Sequence, residues 1–191
     1  LDLERVRKEL ATAELNMLKG QMQPHFIFNT LNTIASVMEK NTSAAQDIIT
    51  RLASLMRSFL ESDRKQFVPL MVEVEHVRDY LDIEAARFSD RLSVHWRIDD
   101  EAKGQAVPNM ILQPLVENAI KHGFSRHIEG GSIWIEAETD ADGTLLTVKD
   151  DGMGAEAGAI FDGSNNGNNS GGVGLRSVRA RLTALYGDSA S

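Results

Sequence analysis

The chain has 191 residues and a mass of 21.0 kDa, 42% of it hydrophobic and 25% charged, with 20 basic against 28 acidic residues for a net charge of −8. That balance suits a globular protein of one domain or two small ones, while the absence of cysteine excludes disulfides, thiolate metal sites and a cysteine nucleophile, and the acidic surplus argues against a nucleic-acid partner. The lack of cysteine fits a reducing cytoplasm, the expected location; no apolar run reaches the roughly 18 residues of a membrane span, and a chain opening on Leu1 reads as a piece of a longer one.

From Leu1 to about Glu39, Leu3, Val6, Leu10, Ala13, Met17 and Gly20 recur in steps of three and four, the seam of a coiled coil. Pro24 falls inside this helix and cannot supply the backbone bond to residue 20. Gly20 is the residue that best accommodates the resulting distortion, so the pair predicts a kink. After the turn signal Asn41-Thr42-Ser43, a second helix sets Ile48, Leu52, Leu55 and Phe59 on one stripe, with Ile49, Met56 and Leu60 beside it. This apolar surface is too wide for two helices to cover, and pairing two hairpins into a four-helix bundle buries it. Residues 1–65 are therefore expected to be a coiled-coil entry and a helical hairpin that forms a homodimer.

A polar run from Ser62 ahead of Val68-Pro69-Leu70 marks a boundary near residue 65. A helix is expected from about Glu73 to Phe88, with Val74, Val77, Leu81, Ala85 and Phe88 on one face. Leu92, Val94, Trp96 and Ile98 then alternate with Ser93, His95 and Arg97, the period of a half-buried strand, expected to be antiparallel. Pro108 and Pro114 bracket the entry to a helix carrying Leu115, Ala119 and Ile120, with Gly123 as its stop. Ile133–Thr139 and Thr144–Val148 flank Asp140-Ala141-Asp142-Gly143 as a hairpin. The last helix is expected after Gly174, with Leu175, Val178, Leu182 and Leu185 on one stripe, ending at Gly187. Residues 66–191 thus read as α+β, helices packed on a mixed or antiparallel sheet. The segment Gly163–Gly172 has no apolar residue and reads as a linker by composition, but as a lid by its position inside a domain.

Three separated motifs carry candidate chemistry. In Glu117-Asn118-Ala119-Ile120-Lys121-His122-Gly123, Asn118 and His122 lie four apart on one helix face. A neutral carboxamide oxygen suits Mg²⁺, which takes one or two protein oxygens alongside phosphates; a satisfied helix asparagine is the plain alternative. In Asp150-Asp151-Gly152-Met153-Gly154, the glycines allow close approach of a planar group, and a buried carboxylate can accept the exocyclic amine of adenine. Alone, such a loop is also an ordinary turn. In Gly172-Val173-Gly174-Leu175, glycines open a helix whose N-terminal amides favour an anion. Residues 129–162 hold nine acidic groups against Lys149 alone, so a polyphosphate there needs Mg²⁺ and Lys121, with Arg176 and Arg179 as further candidates. Neither a GxxxxGK[ST] loop nor a dinucleotide-binding GxGxxG unit is present.

The order and content of these motifs resemble the GHKL, or Bergerat-type, ATP-binding fold, an α/β sandwich with a mixed, mostly antiparallel sheet. Upstream, Leu18-Lys19-Gly20-Gln21-Met22-Gln23-Pro24-His25-Phe26-Ile27-Phe28-Asn29-Thr30-Leu31-Asn32 is similar to the phosphoacceptor motif of LytS-like sensor histidine kinases. Tyr80-Leu81-Asp82-Ile83-Glu84, Arg87-Phe88 and Gln113-Pro114-Leu115-Val116-Glu117-Asn118 resemble that family too. The resemblance implies that His25 takes the γ-phosphoryl group of ATP and passes it to an aspartate in the receiver domain of a response regulator. Asn29 and Glu117 would join His25 in catalysis. The nucleotide would lie among Asn118, Lys121, His122, Asp150, Gly152, Gly154, Gly172, Gly174 and Leu175, with Mg²⁺ at Asn118. The parent protein is expected to be anchored in the cell membrane upstream of residue 1. Residues 66–191 are expected to form the ATP-binding domain and to stop before the family's last strand.

A neutral imidazole offers a nucleophilic nitrogen without a base to generate it. Phe26 stands where common histidine kinases carry an acidic residue, which leaves the acceptor of the imidazole proton unassigned. A GHKL hydrolase is disfavoured because Pro114 occupies the place of the water-activating acid, although Glu117 adjoins Asn118. The competing reading is a catalytically silent, dimeric, nucleotide-binding signalling module.

Overall fold

A computed structural model describes residues 24–62, 65–88, 91–124, 130–141, 143–152, 154 and 172–187. The heptad segment with Gly20 and all but the last residue of Gly163–Gly172, where the coiled coil, the kink and the lid are expected, lie outside the described residues. The chain divides into two compact units, Leu1–Gln66 with Arg78–Ser89 and Phe67–Val77 with Asp90–Ser191. A single cut in the sequence places the whole third helix in the second unit, whereas its C-terminal half groups with the first.

In the first unit, α1 (Pro24–Met38) and α2 (Thr42–Ser62) form a hairpin. The Asn41 side chain accepts the Ala44 N–H at 3.0 Å, which caps α2 and stops its first turn from fraying. Phe26, Thr30 and Ile34 of α1 are buried, as are Ala45, Ile48, Leu52, Leu55 and Phe59 of α2. Thr30 is tolerated there because its hydroxyl donates to the Phe26 carbonyl at 2.9 Å. The C-terminal half of α3 (Leu70–Phe88) completes this core: the Tyr80 ring lies 4.9 Å from that of Phe26, and Arg51 bridges Asp79 and Asp82 at 2.9 and 2.8 Å. The second apolar stripe of α2 stays incompletely covered, with Ile49 exposed and Met56 and Leu60 half-buried.

In the second unit, β1 (Phe67–Pro69) pairs antiparallel with β3 (Ala106–Pro108). A separate sheet has the order β2-β4-β5, from β2 (Leu92–Ile98), β4 (Gly131–Thr139) and β5 (Thr144–Asp150). β4 and β5 form the expected antiparallel hairpin, Thr139 opposite Thr144. The expectation that β2 is antiparallel is wrong: it runs parallel to β4, from Leu92 opposite Gly131 to Ile98 opposite Ala137. Its alternation arises because one sheet face is covered and the other wet, and the long intervening segment, helix included, supplies the crossover that a parallel pair requires. Ile133, Ile135 and Ala137 of β4 are buried on the inner face. On the outer face His95 stacks on Trp134, and Arg97 and Lys149 pair with Glu136. Gly130 enters β4 at φ +103°, where a Cβ would stand 2.6 Å from the Arg91 carbonyl oxygen.

Helix α4 (Leu112–Asn118) buries Leu112, Gln113 and Val116. Gly123 does not stop the helix as expected, since Ala119–Phe124 continue it as a π-turn. The final helix, α5 (Gly172–Tyr186), starts at Gly172 rather than after Gly174, and Gly187 follows it at φ +65°, the left-handed conformation of a helix stop.

Candidate functional site

His25 is exposed on α1, and Asn29 lies one turn further along the same face. The Asn29 carboxamide nitrogen is 3.1 Å from His25 Nδ1. Phe26, directly after His25, is buried against Tyr80 and fixes the rotation of α1 that turns His25 outward. The turn that bears His25 is thus presented by packing, with an amide as the imidazole's partner.

In the other unit α4 is the hub, because it and its π-turn touch both β5 and α5, so the three motif-bearing elements meet around one short helix. Glu117 is half-buried and accepts a hydrogen bond from Gln113 Nε2 at 3.0 Å. Asn118, the last residue of α4, is half-buried, and its carboxamide makes no hydrogen bond among the described residues. Lys121 lies half-buried on the π-turn; His122 is on the same turn, with its side chain outside the described residues. Gly174 brings α5 close to α4, since a Cβ there would meet the Pro114 carbonyl oxygen at 3.6 Å, and Leu175 is half-buried beside it.

Asp150 differs from expectation. It is the last residue of β5 rather than part of the following loop, and it is exposed rather than buried. Its Oδ1 accepts the Gly152 N–H at 3.0 Å, while Asp151 accepts the Ser132 N–H at 2.8 Å and ties the loop to β4. Gly154 has φ +67°, a conformation that favours glycine.

Sequence reasoning missed Glu73. Its buried carboxylate on α3 accepts the backbone N–H groups of Met110, Ile111 and Leu112 at 2.6, 2.8 and 3.1 Å. The available signal was an acidic residue between Leu70 and Val77 on the apolar face of a helix, where a carboxylate needs donors to be tolerated.

Residues 13–92 match the family model described as histidine kinase, and residues 105–191 match that of the histidine kinase-, DNA gyrase B- and HSP90-like ATPases. Both model descriptions name histidine kinases, and the two matches together span most of this chain. It is 37% identical over 185 residues to the sensor histidine kinase BtsS of Escherichia coli K12, covering 97% of this chain and 31% of that protein. It is 34% identical over 190 residues to the sensor protein LytS of Staphylococcus haemolyticus, covering 96% of this chain and 32% of that protein. The chain therefore spans about a third of the length of these curated relatives. A solved structure, the histidine kinase domain from the Erythrobacter litoralis EL346 blue-light activated histidine kinase, matches with a TM-score of 0.49 and 20% identity, covering 93% of this chain and 85% of that one. The α+β architecture, with helices followed by a mixed sheet, fits the expected GHKL α/β fold and the ATPase description of the second family model.

Proposed function

We propose that this chain is the kinase core of a two-component sensor, which transfers the γ-phosphoryl group of ATP to His25 and from there to an aspartate of a response-regulator receiver domain. The observation that carries this reading is an exposed His25 held in place by the buried neighbour Phe26, in the compact unit that does not contain the nucleotide motifs. A ring nitrogen attacks the γ-phosphorus, the bond from phosphorus to the bridging oxygen breaks, and its electron pair leaves with ADP. The imidazole proton leaves to a base other than residue 26, which is Phe and not acidic.

Asn118, Lys121, His122, Asp150, Gly152, Gly154, Gly172, Gly174 and Leu175 form the nucleotide site in this reading. The Asn118 carboxamide fits Mg²⁺, being a neutral oxygen donor with no protein partner among the described residues. Bound there, the metal would neutralise phosphate charge. Asp150 supplies the acceptor for the adenine amine, Lys121 adds positive charge, and Glu117, oriented by Gln113, sits next to the metal position. Asn29, with a donor and an acceptor on one group, positions water for dephosphorylating the regulator.

The protein acts as a homodimer through residues 1–65. Phe28, Leu31 and Met38 on α1 and Ile49 on α2 are 67, 50, 49 and 44% exposed, and a second hairpin would cover them in a four-helix bundle. The parent protein is anchored to the cell membrane upstream, with this part in the cytoplasm; no described helix is long and apolar enough to cross a membrane.

Incubation with labelled ATP tests the reading. A phosphoramidate on His25 gives a label that is lost in acid and kept in base; binding of Mg-ATP without any label would instead identify a silent nucleotide-binding module.

A further inference from the structure

Helix α4 has no capping side chain of its own: Ile111 occupies its N-cap position and makes no side-chain cap hydrogen bond. The amides that a helix start leaves unpaired are satisfied from α3, where the buried Glu73 carboxylate accepts from Met110 and, through its other oxygen, from Ile111 and Leu112. Met110 is also the one non-glycine residue with positive φ, at 60°, among the described residues. Glu73 holds that unusual turn as well as the first turn of the helix.

We infer that Glu73 is the positioning residue of the nucleotide site, fixing where α4 begins and hence where Glu117 and Asn118 stand at its far end. The inference rests on the assignment of Asn118 to Mg-ATP made above. Between the cap and Asn118 lie fewer than two helical turns, and Leu112 and Val116 along that stretch are buried. A displacement at the cap is therefore passed to Asn118 rather than absorbed. The α3 segment that bears Glu73 packs in the same compact unit, with Leu70, Val74 and Val77 buried, so the carboxylate itself has a rigid base.

The coupling is reciprocal, which allows a test on the unmodified chain. Hydrogen exchange is followed at the Met110, Ile111 and Leu112 amides with and without Mg-ATP. Several-fold slower exchange on adding nucleotide is expected; protection confined to Asn118 and the π-turn overturns the inference. In parallel, Mg-ATP affinity of Glu73→Gln and Glu73→Asp is measured by calorimetry at a temperature where circular dichroism shows both folded. The amide puts a donor against donors, so Glu73→Gln should bind about tenfold more weakly, the scale of a lost cap, with Glu73→Asp intermediate. Lower melting temperature with unchanged affinity would make Glu73 a structural cap and overturn its positioning role. If Glu73→Gln does not fold, the exchange measurement decides. A wild-type chain that binds no Mg-ATP overturns the nucleotide assignment and this inference with it, whereas a binding wild type with unchanged Glu73→Gln overturns this one alone.

Discussion

The Asn29 carboxamide nitrogen lies 3.1 Å from Nδ1 of His25 and 3.4 Å from Nε2. A donor so placed can serve whichever ring nitrogen holds the lone pair, so Asn29 restrains the ring without fixing its tautomer. His25→Ala is expected to abolish acid-labile labelling while leaving Mg-ATP affinity within about threefold, because His25 and the nucleotide motifs belong to different compact units. Label persisting in His25→Ala would move the acceptor elsewhere. Asn29→Ala should slow dephosphorylation of the phosphorylated regulator by about tenfold or more, a larger effect than on loading of His25. Equal loss in both assays would reduce Asn29 to a ring restraint.

At the nucleotide end, Asn118→Ala and Asp150→Ala are expected to weaken nucleotide binding for different reasons. In the proposed site the first would lose a metal oxygen and the second a charged acceptor, a contact worth about 1.5–3 kcal/mol and so roughly tenfold to a hundredfold in affinity. The metal dependence separates them. Without Mg²⁺ the Asn118→Ala effect should vanish and the Asp150→Ala effect persist. Calorimetry showing both variants unchanged would remove the nucleotide site from this set of residues.

What could be read in the sequence was whatever depends on local pattern. The α2 stripe Ile48, Leu52, Leu55 and Phe59, the β4-β5 hairpin and the stop at Gly187 follow from periodicity and turn chemistry, and all appear. Alternation in Leu92–Ile98 reports which face is covered and carries no information on strand direction, so the parallel pairing of β2 was not legible. The π-turn through Gly123 and the exposure of Asp150 depend on what packs against them. Glu73 escaped because its partners are 37 to 39 residues away, and only the fold brings them to it.

The Phe26–Tyr80 contact gives a stability prediction. Both rings are buried, with centroids 4.9 Å apart. Phe26→Ala should cost about 3–5 kcal/mol, and the double substitution with Tyr80→Ala should cost about 0.5–1.5 kcal/mol less than the two single effects added. Urea unfolding measures both. Strict additivity would mean that each ring packs against other neighbours and that the pair does not anchor the acceptor turn.

The exposed stripe on the hairpin predicts the oligomeric state. A carboxylate in the core of a bundle is strongly disfavoured, whereas one on a wet surface is not. Ile49→Asp should therefore turn a dimer into a monomer in sedimentation, and Ser54→Asp, at an exposed position on the same helix, should leave it dimeric. A monomeric wild type, or a dimer untouched by Ile49→Asp, would place the dimer contact outside this stripe.

On the outer sheet face, the Lys149 ammonium hydrogen-bonded to Glu136 at 2.9 Å, with Arg97 adding to it, holds the Glu136 carboxyl below its ordinary range despite an opposing effect of burial. A depressed folded-state value means that Glu136 stabilises the fold above its unfolded value of about 4.3, and that this contribution disappears as the pH falls through the lower folded value. The same pairing raises the Arg97 guanidinium, first through its hydrogen bond to Glu136 and then through the charge of Glu138, so both partners favour the ionised pair. Melting temperatures of the wild type and Glu136→Gln should therefore differ at pH 6, converge as the pH is lowered from about 4 towards 3, and differ less at pH 6 in high salt. A gap that stayed constant from pH 6 to 3 would show that Glu136→Gln acts with no contribution from the charge network.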